Sequence, residues 1–453
     1  MIQVKLVYDS ATNPVVSASH AAKMCYQAEP PAIGERMDVE SNLFKTGHHT
    51  TLQHYHATFL VDGIAVGDIT FGFHLASPFY NSDQRSGRFC AKMFISPDFP
   101  AIEDYIRNFW PAVTNGDVEH VIAYVKNGIR IYQEHIERTA RAARWTIIKE
   151  RPFANEKYIE QNAPKIAQEQ LRVFIPIIFP TGFVFTVNAS ALIALYESAW
   201  TPAMKYATSQ MAIALFKKYP QEPFNFLFRE DRRESREWAP PIKPSGDSII
   251  RKEPGFQFLS VDRVLQPTVP ITNVLHPVDK LHFMPEYMDN AVNDVKCKVA
   301  ISAATMGQDQ RHRTIRRSAP EFTGEFYLPP IVDICGLEEE AKTQMQRWLD
   351  LSQQLPPTLA AVIAPYGAVV SYVKSGSLNA IIHEQAKRLC WCAQEEIYHV
   401  ARELRRSMRD SEYGDLAEIF EPYCLRTGVC AEGKRYCGRD IKDRNDYFPR
   451  RMA

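Results

Sequence analysis

The strongest constraint on this chain is that it carries one pattern twice. From Arg172 it reads R-V-F-I-P, then a glycine, then V-N-A-S-A-L-I-A-L; from Ala361 it reads A-V-I-A-P, then a glycine, then G-S-L-N-A-I-I-H. Pro176 and Pro365 hold matching places, and Leu192-Ile193 match Ile381-Ile382 at the same offset. Internal repetition dictates architecture, because each copy has to form the same unit. Upstream of each block lies a histidine in a polar, arginine-bearing motif. The first is H-L-A-S-P-F-Y-N-S-D-Q-R-S-G-R-F from His74 to Phe89, the second Q-D-Q-R-H-R-T-I-R-R-S from Gln308 to Ser318. Taken alone, the repeat leaves open a chance likeness between two apolar helices. Between the halves a charged run followed by Pro-Pro and Pro-Ser-Gly, from Arg229 to Ser248, predicts a solvated linker and a boundary near 235–255.

Periodicity gives the coarse elements. His56 to Val66 alternates and predicts a strand with a turn at Asp62-Gly63. Val118 to Lys149 has helical spacing and predicts one long helix or two; Ala203 to Lys218, Leu337 to Gln354 and Leu378 to Ser407 predict further amphipathic helices. Strands beside long helices indicate an α+β, helix-rich fold. The 453 residues suffice for two large domains or three smaller ones, with ample apolar content for a core. Lys+Arg and Asp+Glu both number 53, which argues against a general nucleic-acid binder. No G-x-G-x-x-G or G-x-x-x-x-G-K-[ST] motif supplies a Rossmann or P-loop nucleotide site.

Val173 to Leu195 is long enough and uncharged enough to cross a bilayer, but Pro176, Pro180, Gly182 and Asn188 within it point to a buried connection plus helix. The N-terminus lacks the basic and apolar regions of a signal peptide. With nine cysteines, an odd number in a chain too long to need disulfide staples, a reducing cytoplasm is expected, with no membrane attachment.

Two clusters carry chemistry. Gln308 to Arg317 holds Arg311, His312, Arg313, Arg316 and Arg317, a self-repelling set unless an anion or carboxylates sit among them. Guanidinium groups bind phosphate and stack on flat rings, so a phosphorylated aromatic ligand suits them; a solvated basic helix end is the plainer alternative. Gln84, Arg85, Ser86, Gly87 and Arg88 combine a hydroxyl, glycine-permitted backbone N–H groups and cations, the ingredients of a small phosphate nest. Most S-G-R triplets are only turns.

Together, R-H-R and S-G-R-F resemble the signature of the flavin-dependent thymidylate synthase (ThyX) family, Q-x-x-R-H-R-x-x-S-x-N-x-x-S-x-R, split here across two copies. The second copy keeps the front, Gln308, Arg311, His312 and Arg313, and reads A-P-E-F where S-G-R is expected; the first keeps the back, Gln84, Ser86, Gly87 and Arg88. Gly47 to His54 resembles the family's G-H-x-[ST]-P-x-E-H segment beside the flavin. Arg172 resembles its nucleotide-contacting arginine, with Ala361 at that place in the second copy. The later arginine that faces the pyrimidine falls on Arg388 in the second copy and on Ala199 in the first, and Ala393 to Ile397 resembles A-Q-x-E-I. The likeness covers most of residues 1–225 and 275–410.

In this family the dUMP site is shared between chains, and the surviving fragments make one complete set partitioned in that way. The resemblance thus implies a pseudo-dimer: copy 1 over residues 1–235, a linker at 236–255, copy 2 over 256–420 and a cysteine-bearing tail at 421–453, each copy helix-rich with a mixed sheet. It implies reductive methylation of dUMP using FAD, methylene-tetrahydrofolate and NADPH. The phosphate and nucleotide would be held by Gln84, Arg85, Ser86, Gly87, Arg88, Arg172, Gln308, Arg311 and Arg388. Arg388 would stabilise charge on the ring, assisted by Gln308 and Arg311. Flavin contacts would come from His48, Thr50, Arg311, His312, Arg313, Ser377, Asn379 and His383. Gln84, where the family has Glu, and Ser377, Asn379 and His383, where it has N-x-R-x-x-x-N, depart from the pattern. The related hydroxymethylation of dUMP, or a non-catalytic nucleotide-binding role, therefore stays open. Two chains would reproduce the family's tetramer, so a homodimer is expected.

Four minor signals complete the reading. Cys390, Cys392, Cys424, Cys430 and Cys437 match no standard zinc-finger spacing, so ordinary thiols and no metal are expected. Glu395, Glu396 and His399 lack the H-E-x-x-H pattern. Arg138, Arg141 and Arg144 form a stripe expected to be surface, and Ser371 to Lys374 fits a common S-x-x-K.

Overall fold

Thr114 and Asp117 cap one another's backbone N–H groups and start a helix that runs unbroken from Asn115 to Glu150. Its inner face repeats Val118, Val121, Val125, Ile129 and Tyr132 at three- and four-residue spacing, all buried. The stretch expected as one helix or two is a single one, and it lies across both halves of the chain. In the computed structural model the described residues are 1–76, 80–87, 96–221, 224–246, 248–268, 285–430, 432–433, 436–442 and 448–453.

The fold is α+β, built around two sheets of like order. The first contains β1 (Gln3–Asp9), β2 (His56–Ala65), β3 (Tyr80–Gln84) and β4 (Pro180–Asn188) in the order β1-β2-β4-β3, antiparallel throughout. The second contains β5 (Ile250–Arg251), β6 (Gly255–Asp262), β7 (Asp294–Ser302), β8 (Arg316–Arg317), β9 (Glu321–Tyr327) and β10 (Ala368–Ser377). Its order is β5-β9-β10-β7-β6, with β8 also on β10. A central antiparallel pair, β2·β4 or β7·β10, is thus flanked in each sheet by the strand before it, β1 or β6, and by strands within or just after the arginine-bearing motif, β3 in the first and β8 and β9 in the second. The parallel pair β5·β9 makes the second sheet mixed.

The helices repeat as well. In chain order they are α1 (Pro14–Tyr26), α2 (Val66–Thr70), α3 (Phe99–Phe109), α4 (Asn115–Glu150), α5 (Glu156–Leu171), α6 (Ala189–Ser198), α7 (Pro202–Lys218), α8 (Ala303–Asp309), α9 (Glu338–Ser352), α10 (Leu378–Arg388) and α11 (Glu395–Arg409), beside shorter turns. β2 runs into α2 and β7 into α8; β4 runs into α6 then α7, and β10 into α10 then α11. Matching residues cap matching helices: Asn188 Oδ1 accepts from Ala191 N, and Ser377 Oγ from Ala380 N. Leu378 to Ser407 is therefore two helices.

At the centre Pro176 forms an isolated antiparallel bridge with Pro365. Ile177 N donates to Ala364 O at 2.8 Å, and Tyr366 N to Ile175 O at 2.9 Å. A residue pairs with its own counterpart in this way only where an approximate two-fold axis passes. The halves share one apolar cluster, with Phe59, Phe183 and Phe185 from the first sheet and Val299, Ile301 and Val370 from the second. Trp110 Nε1 donates across it to Thr358 Oγ1 at 2.9 Å, which satisfies both buried groups.

Two expected segments differ. The stretch from Val173 to Leu195 holds a 3-10 turn, β4 and the start of α6, and no helix among the described residues is long and apolar enough to cross a membrane. The 229–248 run is docked rather than solvated. Arg233 donates to Tyr196 O, Lys205 O and Ser209 Oγ, while Lys243 N and Phe322 O, and Phe322 N and Pro241 O, stitch the proline stretch along β9. An extended, proline-rich segment can fill a sheet edge whose donors would otherwise stay unpaired. β2 likewise has no hairpin at Asp62-Gly63; Gly63, at φ 78°, sits in a bulge of one continuous strand.

Candidate functional site

The R-H-R turn follows α8, and a buried ion cluster sets its shape. Asp309 accepts from Lys374 Nζ at 2.7 Å, Arg317 Nε at 2.6 Å and Tyr372 OH at 2.8 Å; Lys374 also reaches Glu384 at 2.6 Å. Two carboxylates thus face two cations with almost no solvent, an arrangement that survives burial only when each charge is matched. Burial works against the Asp309 carboxylate, but Arg317 and Lys374 outweigh it and hold its pKa well below the usual range. At the same offset the first half has Phe185 and Leu195 in place of Lys374 and Glu384. Lys374 was visible beforehand only as part of a commonplace S-x-x-K.

From that anchor the two motif arginines cross to the other half. Arg313 Nη2 donates to Ser82 O at 2.7 Å and to Ser82 Oγ at 3.0 Å, with its guanidinium 5.0 Å from the Tyr80 ring centre. Arg311 Nη1 donates to the same carbonyl at 3.1 Å. β3 is the outer strand of its sheet, so these guanidiniums also satisfy an edge carbonyl. His74, the histidine of the first motif, hydrogen-bonds Ser82 Oγ at 2.8 Å; desolvation first, then Arg311, Arg313 and Arg317, push its pKa down to about 3. The two motifs therefore meet, about 230 residues apart in sequence.

Arg388, at the end of α10, donates from Nε to His312 Nε2 at 2.9 Å and from Nη2 to Gln308 O at 2.7 Å. Since guanidinium only donates, His312 must present a lone pair at Nε2 and carry its proton on Nδ1. Burial, then Arg388, push the His312 pKa well below its ordinary value, so the ring is neutral. The Gln308 side chain engages Gln394 rather than the open space, so Gln308 positions Arg388 through its carbonyl.

These side chains edge a cavity of about 440 Å³ lined by Arg311, His312, His383, Lys387, Arg388, Trp391 and Arg439, together with the loop and tail cysteines. Four permanent cations against one carboxylate, Glu432, make it anion-attracting. Lys387, Trp391 and Arg439 are cavity residues that the motif comparison missed. Lys387 follows from the helical register of Arg388, whereas Arg439 reaches the wall only because the tail folds back.

Other expected residues are placed differently. Gln84 pairs with Phe183 in the sheet, and Arg85 N donates to Gly182 O while its guanidinium turns to Asp62. Gly87 O accepts from Gln168 Nε2 on α5, and Ser86 is half-buried beside it. Arg88 lies outside the described residues. Arg172 is buried with its guanidinium 5.0 Å from the Tyr366 ring of the second half. Ser377 caps α10, and Asn379 is buried with Nδ2 on Tyr287 O at 3.0 Å; of that trio only His383 lines the cavity. His48 and Thr50 are exposed on a turn of the first half and do not line the cavity. Glu395 and Glu396 are buried: Glu395 accepts from Tyr327 OH, and Glu396 from Ser302 and Thr305 at the start of α8. They are structural rather than a solvated face.

The family model described as thymidylate synthase complementing protein matches residues 6–222. Two solved structures of thymidylate synthase X from Helicobacter pylori, both with FAD and dUMP, align with 18% identity and a TM-score of 0.34. They cover 51% of this chain and 99% and 100% of their own. No curated protein matches the chain.

Proposed function

We propose, from the match of residues 6–222 to the family model described as thymidylate synthase complementing protein, that the chain converts dUMP to dTMP by flavin-dependent reductive methylation. The one-carbon donor would be methylene-tetrahydrofolate and the reductant NADPH. The observation that carries this reading is the meeting of the split motif: Arg311 and Arg313 of the second half reach Ser82, on the strand that leads into Gln84-Arg85-Ser86-Gly87 of the first. A cavity with four cations and a Trp face also fits a phosphorylated flat ring.

On this reading residues 1–235 and 256–420 are two copies of one unit and form one working composite site. Ser86, the Gly87 N–H, Arg88 and Arg172 hold the phosphate. Arg388, oriented by neutral His312 and the Gln308 carbonyl, faces a pyrimidine carbonyl and stabilises negative charge that develops on the ring, which is electrostatic rather than nucleophilic catalysis. FAD, when bound, supplies hydride transfer. For that group the cavity offers Arg311, His312 and His383, so the fit is partial. Arg313, Ser377 and Asn379 have their hydrogen bonds within the protein, and the exposed His48 and Thr50 would serve a site completed by a second chain of a homodimer. The opposite site would be degenerate, with buried Ala199 and Ala361 where arginines are needed.

The test is a visible spectrum of the purified protein, followed by incubation with dUMP, methylene-tetrahydrofolate and NADPH. A flavin that bleaches with NADPH and a product heavier by CH2 support the reading. A product heavier by CH2O indicates hydroxymethylation instead. A colourless protein that refuses FAD while binding dUMP leaves only nucleotide binding.

A further inference from the structure

The wall of the cavity opposite the arginines is built from sulfur. Cys390 and Cys392 come from the loop after α10, and Cys424, Cys430 and Cys437 from the tail that folds back over it. None of the described cysteines is in a disulfide. The thiols are mutual neighbours: Cys424 senses Cys390, Cys430 and Cys437; Cys430 senses Cys390 and Cys437; Cys390 senses Cys437. Every pair among these four is therefore in electrostatic contact, and Cys392 hydrogen-bonds both Cys390 and Cys437.

The backbone around them is arranged for thiolate. Cys390 accepts from the N–H of Cys392, Cys430 from that of Glu432, and Cys437 from that of Arg439, each two residues onward. Gly428, Gly433 and Gly438 supply left-handed turns, with φ of 72°, 54° and 83°, that let the tail double back between its cysteines. N–H donors to sulfur stabilise the negative charge that a metal-bound thiolate retains. Arg151 and Arg451 flank Cys437 and Arg439 covers Trp391, a cationic surround for the net double negative charge of four thiolates on a divalent ion.

We propose that Cys390, Cys424, Cys430 and Cys437 are a tetrathiolate site for a thiophilic divalent cation, zinc first, which clamps the tail to the loop beside Arg388. Soft sulfur donors select zinc over magnesium or calcium. Among the described residues no three donors are gathered at ligating separation. Binding must draw the sulfurs inward, to the roughly 3.8 Å spacing that ~2.3 Å Zn–S bonds set in a tetrahedron. The balance is Zn²⁺ plus four thiols giving the tetrathiolate and four protons. Cys392 stands beside the four as a hydrogen-bonding neighbour of Cys390 and Cys437. The site reverses the expectation drawn from spacing alone and does not depend on the methylation reading.

The experiment is metal analysis of the full chain purified without chelator. About one zinc per chain is expected. Cys437→Ser and Cys430→Ser should lose it, while Cys392→Ser and the exposed Cys25→Ser keep it. Because ligand variants can misfold, wild type stripped by chelator and reduced is titrated with cobalt; one equivalent should give a sulfur-to-cobalt charge-transfer band that zinc abolishes. A metal-free protein with no such band, zinc retained by both ligand variants, or a disulfide joining two of the four cysteines would each overturn the proposal.

Discussion

Replacing Arg388 by Gln tests the composite site most directly. The guanidinium holds His312 Nε2 at 2.9 Å and Gln308 O at 2.7 Å, and it lines the cavity. Gln keeps a donor but removes the charge and the fork, so a charge-assisted hydrogen bond to the ligand is lost, worth about 1.5–3 kcal/mol. That predicts a Kd for dUMP weaker by roughly 10- to 150-fold in calorimetric titration. Arg388 is also the largest charge holding down the His312 pKa after burial, so in the variant that pKa moves back toward its ordinary value, which histidine NMR can follow. Arg388→Lys, which keeps charge without the fork, should recover only part of the affinity. If Arg388 merely braces the turn, the melting temperature falls while dUMP binds as before. A Kd within about twofold of wild type refutes the reasoning, because no charge-assisted contact is worth so little.

Further outcomes follow from buried groups. Burial raises the Glu395 pKa to about 8, so its favourable protonated form is fully present below the unfolded value and is lost as pH rises through about 8. Urea unfolding of Glu395→Gln minus wild type should therefore grow in favour of the variant between pH 5 and 8, by at most about 1.4 kcal/mol per pH unit, and a flat difference would contradict it. A Cβ on Gly67 would sit 2.9 Å from Val362 Cα across the halves, so Gly67→Ala should lower unfolding free energy by about 1–3 kcal/mol in denaturant titration. Trp348 is fully buried, 5.0 Å from the Phe322 ring, with Nε1 on Ala360 O; Trp348→Ala should cost about 3–5 kcal/mol in the same assay.

The sequence alone was enough for whatever depends on neighbours a few residues apart. The apolar spacing of Val118 to Tyr132 and the alternation from His56 are local patterns, and the helix and strand formed where they predict. The matching places of Pro176 and Pro365 were legible for the same reason, since the R-V-F-I-P and A-V-I-A-P runs around them are each local. Tertiary structure alone decided which groups meet. Nothing local tells Arg313 to satisfy Ser82, Asn379 to hold Tyr287, or the 236–255 segment to fill an edge of the second sheet. The tail cysteines look unremarkable as C-x5-C-x6-C because their partner is a loop more than 30 residues upstream. Such contacts are selected by burial and by the need of each buried charge and edge carbonyl for a partner, a condition on the whole packed chain that no window of sequence contains.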